Sequence, residues 1–124
     1  VGGAGRDEIH GADGIDFLYG GAGRDTVYGE AGDDAIYGGD NGDGSDGNDE
    51  IHGGPGDDDI WGEAGSDDIH GGPGKDDIRG QDGNDVITGA DDADNDDISG
   101  GAGNRDRCFG KVGDNLSPDC EVLS

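Results

Sequence analysis

Large apolar side chains in this chain stand alone, not in runs. Leu18, Val27 and Ile36 lie nine residues apart, and Ile51, Ile60, Ile69, Ile78 and Ile87 keep the same interval after one irregular step. Each sits in a triplet with mostly polar neighbours, as in Glu50-Ile51-His52 or Asp77-Ile78-Arg79. Strict alternation over three residues predicts a short strand with one face buried. Two residues before each apolar position stands an aspartate, and the rest of each unit is a glycine-rich turn. One unit is a turn plus a strand and cannot bury its single apolar residue. Two units make an 18-residue coil whose strands face each other, and stacked coils share a thin aliphatic core.

The units begin at Gly2, Gly11, Gly20 and Gly29 without a gap. Six extra residues, Gly38 to Asp43, then interrupt, and the register resumes at Gly44, Gly53, Gly62, Gly71 and Gly80. The interruption reads as a bulged turn at one edge, the alternative being an additional calcium site there. Asp40 to Asp46 is a superficial match to a helix-flanked calcium loop, but its alternate oxygens and terminal Glu do not line up. A tenth unit from Gly89 carries two extra residues and lacks glycine at its fourth position. In the eleventh, from Gly100, Asp106 comes one residue late and Cys108 takes the apolar place.

Composition decides what this pattern can be. Of 124 residues, 31 are Gly, and 27 Asp with 5 Glu oppose 7 Lys and Arg, for a net charge of −25. Leu, Ile, Val and Phe number 19. That share lies below the roughly 20% under which a highly charged chain stays unfolded, because so little apolar surface cannot offset ~1–2 kcal/mol of ordering entropy per residue. A globular enzyme with a thick core is excluded. No apolar run approaches the ~18 residues of a membrane span, and phosphate-rich partners such as nucleic acid are repelled. What remains is disorder, or a fold stabilised by cations.

The repeated motif G-G-x-G-x-D-x-U-x, with U a large apolar residue, resembles the RTX calcium-binding nonapeptide repeat over residues 2–107. The resemblance implies an all-β fold: a parallel β-roll, or β-solenoid, of about five 18-residue coils. It also implies Ca2+ held between turns one coil apart, by carbonyls and the aspartate of each. Carried over, one ion takes Gly3, Gly5 and Asp7 with Gly20, Ala22 and Asp25. On the other edge an ion takes Ala12, Gly14 and Asp16 with Gly29, Ala31 and Asp34. The matching places further on begin with Gly21, Gly23, Glu30 and Gly32, followed by Gly44, Ser45, Asp46 and Gly47 with Asp49. Next come Gly53, Gly54, Pro55 and Gly56 with Asp58, and Gly62, Glu63, Ala64 and Gly65 with Asp67. The series closes with Gly71, Gly72, Pro73 and Gly74 with Asp76, then Gly80, Gln81, Asp82 and Gly83 with Asp85, and Asp96. Pairing carboxylates one coil apart gives eight sites, with Asp85 and Asp106 as a ninth. Eight divalent ions would bring the charge to about −9. Oxygen-only ligands suit this hard cation, which takes about 6–8 of them.

Several features lie outside the repeat. Cys108 and Cys120, the two cysteines, read as a disulfide and an oxidising compartment. With Phe109, Val112, Leu116 and Val122 they read as a cap over the open end, residues 108–124. The tail resembles that of short Cys-ended secreted bacterial calcium-binding proteins, so the expected location is extracellular. Val1 runs straight into a repeat with no basic-then-apolar leader, which reads as a processed product or excised domain. The ninth positions form outward rows: His10, Tyr28, His52, His70 and Thr88, and Tyr19, Tyr37, Trp61, Arg79 and Ser99. They read first as stacking that supports the sheet; the alternative is an adhesive surface on Tyr19, Tyr37 and Trp61 for a glycan or protein partner. His52 and His70 alone lack the further ligands of a transition-metal site. No nucleophile–base arrangement appears among the serines, which speaks against an enzyme.

Overall fold

The computed structural model describes residues 1–39, 47–90, 93–103 and 105–122. Among them the chain is a parallel β-roll without a helix. A seven-stranded sheet contains Glu8–Asp13, Thr26–Ala31, Glu50–His52, Asp68–His70, Val86–Thr88, Asp106–Phe109 and Cys120–Val122. A six-stranded sheet contains Phe17–Tyr19, Ala35–Tyr37, Asp59–Gly65, Asp77–Gly83, Asp97–Ala102 and Asn115–Leu116. Gly3–Ala4 and Gly21–Ala22 form a further small pair. Successive strands alternate between the two large sheets, so each pair of strands completes a coil.

Register follows the nine-residue unit. Ile51 pairs with Val27 and Ile69, and Ile60 with Ile36 and Ile78. The apolar residues therefore stack in two facing rows. Val27, Ile36, Ile51, Ile60, Ile69, Ile78 and Ile87 are fully buried, Ile98 and Leu18 nearly so. The core is one side chain thick from each sheet. At the first coil it is incomplete, with Ile9 only partly buried.

Two differences from the sequence reading emerge. First, Gly38 is not an extra residue. A Cβ there would lie 2.8 Å from Asp49 Oδ2 and 2.6 Å from the Gly62 carbonyl oxygen. That is how Gly62 meets Asp67 Oδ2 (2.6 Å) and the Gly80 carbonyl oxygen (2.8 Å). Gly38, not Gly44, thus opens the fifth unit, and the extra residues come between Gly38 and Gly47 in the sequence. Gly44, Ser45 and Asp46, the rest of the bulge from Asp40, and Asp91 and Asp92 lie outside the described residues.

Second, strand pairing runs past residue 107. Leu116 pairs with Ile98 and Val122 with Cys108, which adds a coil and gives about six in all. Leu116 packs against the core, whereas Val112 is fully exposed. The tail is an irregular further coil that continues the stack. Cys108 and Cys120 are disulfide-bonded within it.

Candidate metal centre

The turns place the aspartates in two rows along the edges of the roll. One row is Asp7, Asp25, Asp49, Asp67, Asp85 and Asp106; the other is Asp16, Asp34, Asp58, Asp76, Asp96 and Asp114. In most units the chain reaches the aspartate through a left-handed residue at the second position. Gly21, Gly54 and Gly72 have φ between 107° and 119°, and Ala12, Glu30, Glu63 and Gln81 between 74° and 80°. The four non-glycine residues accept the same turn at a cost of about 1 kcal/mol each, so the substitutions leave the backbone path intact. The first-position glycine has no such alternative, since a side chain would occupy the space of the carboxylate.

Each aspartate makes the same contact. The backbone N–H of one donates to Oδ1 of the aspartate one coil later, from Asp7 to Asp25 at 2.8 Å through to Asp85 to Asp106 at 3.0 Å. The eight sequence-paired carboxylates are all joined in this way, at 2.8–3.0 Å. The ninth pair, Asp85 with Asp106, joins them. A tenth was missed: the Asp96 N–H donates to Asp114 Oδ1 at 3.1 Å. The signal was present, since Gly110, Asp114 and Leu116 repeat the glycine, aspartate and apolar places with a shortened turn.

The second carboxylate oxygens carry the chemistry. Oδ2 of Asp7, Asp25, Asp34, Asp58, Asp85 and Asp106 is buried and has no hydrogen-bond partner. Asp25, Asp34, Asp58, Asp85, Asp96 and Asp106 are at most 2% exposed. A buried ionised oxygen without a partner is costly, and proteins answer with a proton, a counter-charge or a metal. Burial pushes the carboxyls of Asp58 and Asp85 up to about 6, against the lowering by the Asp34 and Asp67 amides. Burial also raises those of Asp25 and Asp34.

Among the described residues no three His, Cys, Asp or Glu side chains gather at one point. A cation on either edge must therefore draw many of its oxygens from the backbone. The glycine-rich turns supply them, because carbonyl oxygens of successive coils crowd the first-position glycines next to Asp Oδ2. An all-oxygen, carbonyl-rich donor set with an uncompensated carboxylate fits a hard divalent cation such as Ca2+. An open groove of about 430 Å³ lies elsewhere, outside the six-stranded sheet, between Arg79 and Pro118.

The outward rows are stacked ladders. Tyr19, Tyr37 and Trp61 lie with ring centroids 4.7 and 4.6 Å apart and planes within 4°, and the Arg79 guanidinium covers the next face of Trp61 at 5.6 Å. On the other sheet His10, Tyr28, His52 and His70 stack at 4.9–5.0 Å. His10 also contacts Glu30 at 2.7 Å and Glu8 at 3.1 Å.

Fold and edges together define a β-solenoid with a row of stacked aspartates along each edge. The profile of the RTX calcium-binding nonapeptide repeat (4 copies) matches residues 1–14, 10–43, 35–69, 43–78 and 70–105. The chain belongs to this family, whose repeats bind calcium and are typically structural, not catalytic. No curated protein and no solved structure matches it.

Proposed function

We propose that this chain is a calcium-triggered folding module, secreted by a bacterium, that orders on binding about eight to nine Ca2+. The observation that carries the reading is the set of buried Asp Oδ2 atoms without partners. Asp7, Asp25, Asp34, Asp58, Asp85 and Asp106 carry such an atom, and the aspartates pair one coil apart nine times, from Asp7–Asp25 to Asp85–Asp106. The family's arrangement assigns the ions to them, with carbonyls of the flanking turns as further ligands. The role is then mechanical: the roll is a structural or folding-assisting element that stays open where calcium is scarce and closes outside the cell. A disulfide in the tail supports an oxidising location. Site affinities of the extracellular class, ~10⁻⁴–10⁻³ M, suit such a switch.

A glycan-binding role for Tyr19, Tyr37 and Trp61 gains no support. Sugars stack on ring faces, and the ladder covers both faces of Tyr37 and of Trp61. The rings serve the sheet, at ~0.2–1 kcal/mol per pair.

A circular dichroism titration with ions counted by native mass spectrometry tests the proposal. The expected result is little β signal in excess chelator, a cooperative rise with calcium, and eight or nine ions at saturation. A chain that is equally β-rich with and without calcium would overturn it.

A further inference from the structure

The last coil presents something other than bare carboxylates on both edges. On the first edge Cys120 takes the register of Asp106, so the aspartate row ends there. Its sulfur is bonded to Cys108, which lies in the core row in line with Ile87. On the second edge Asp114 closes the row with its side chain fully buried, and Lys111 Nζ lies 3.4 Å from its Oδ1. The Lys111 N–H donates to Asp114 Oδ2 at 2.6 Å. Lys111 follows Gly110, the first-position glycine that packs against Asp114 Oδ2. At the same place in earlier turns of this edge stand Ala12, Glu30, Gly54, Gly72 and Ala90, none of them cationic.

An ammonium thus sits against the carboxylate of one edge, and a covalent bond replaces the carboxylate of the other. We infer that the terminal coil supplies its own cation and its own cross-link, holds its local structure without calcium, and is the ordered end onto which the calcium-dependent coils stack. In a solenoid each coil is stabilised by its neighbours, so a pre-ordered end removes the cost of starting the stack. The disulfide contributes by closing the chain between residues 108 and 120 before any ion arrives. Lys111 contributes by neutralising the one buried carboxylate that this coil adds. The inference rests on the proposed function in one respect, namely that the coils before residue 100 need ions.

Hydrogen–deuterium exchange of the full oxidised chain, first in chelator and then across a calcium titration, tests it. In chelator, residues 106–122 should exchange at least about tenfold more slowly than residues 20–37 and 50–88. Lys111→Gln, and separately Cys108→Ser with Cys120→Ser, should reduce that protection and raise the calcium midpoint of residues 20–88 by about threefold or more. Equal exchange of the two regions in chelator overturns the inference, as does an unchanged midpoint in Lys111→Gln. Lys111→Gln keeps the disulfide, so the test survives if the cysteine variant fails to fold. Failure of the calcium reading would look different: residues 20–88 would not respond to calcium in the unaltered chain, whatever the tail does in chelator.

Discussion

A central coil and the last coil have nearly the same backbone and differ in what lies between their turns. Around Ile60 the edges carry Asp34, Asp58 and Asp76, buried, like-charged and one coil apart, with Oδ2 of Asp34 and Asp58 unpartnered. Around Leu116 the corresponding places hold a lysine–aspartate pair and a disulfide. On the proposed function the central coil is incomplete as a polypeptide, because its apolar row is one residue thick and its carboxylates oppose closure. The last coil is less regular but closer to self-sufficient. On the proposed function, repeat regularity and intrinsic stability are opposed in this molecule: the best-matched units are the ones that depend most on what they bind.

The sharpest way to break the comparison is to alter one carboxylate in each region. Asp58→Asn keeps an Oδ1 to accept the Asp34 amide but removes the charge. It should lose about two ions and raise the calcium midpoint, because each aspartate serves the turns on both sides. Asp114→Asn, whose counter-charge is Lys111, should leave the ion count unchanged. Native mass spectrometry distinguishes them, and equal losses would erase the contrast.

The core gives the next largest effect. Ile60→Ala removes a fully buried side chain from a single-layer row and should cost ~2–5 kcal/mol in saturating calcium. Leu116→Ala, at a partly buried position, should cost less. Chemical denaturation of both variants checks the order.

Acidity should then act in opposite directions with and without ions. The Asp58 and Asp85 carboxyls, raised to about 6 by burial, stay protonated in the ion-free roll at pH values where the unfolded chain has released its protons. That stabilisation is complete below the ordinary aspartate range and is lost as pH rises through about 6. In chelator, acidification from pH 7 toward 4 should increase β signal. In calcium, the same protons compete with the ions, so the midpoint should rise as pH falls below 6. The smallest effect belongs to the ladders: Trp61→Ala should cost ~0.2–1 kcal/mol per lost stacking pair, with the ion count unchanged.

Much of this is legible in the sequence itself. The aspartate and isoleucine places were plain because a nine-residue period in a solenoid fixes both register and face. The fifth unit was misplaced because glycines flank the insertion on both sides. Gly38 and Gly44 offer the same local pattern, and only the neighbouring carbonyl of Gly62 and the carboxylate of Asp49 select Gly38. Asp114 escaped, and Leu116 and Val122 read only as cap residues and not as strand positions, because the final turns change length, so spacing fails while strand pairing persists. Lys111 could not be read at all. Its meaning depends on a contact with Asp114 three residues on, which a linear motif does not encode.

Small-angle scattering of the oxidised chain in excess chelator and in saturating calcium probes most directly whether bound ions act as the interior of this molecule. An expanded chain with a radius of gyration of roughly 36 Å in chelator, contracting toward the roughly 14 Å of a compact fold with calcium, is the predicted result. The same compact radius under both conditions would contradict it.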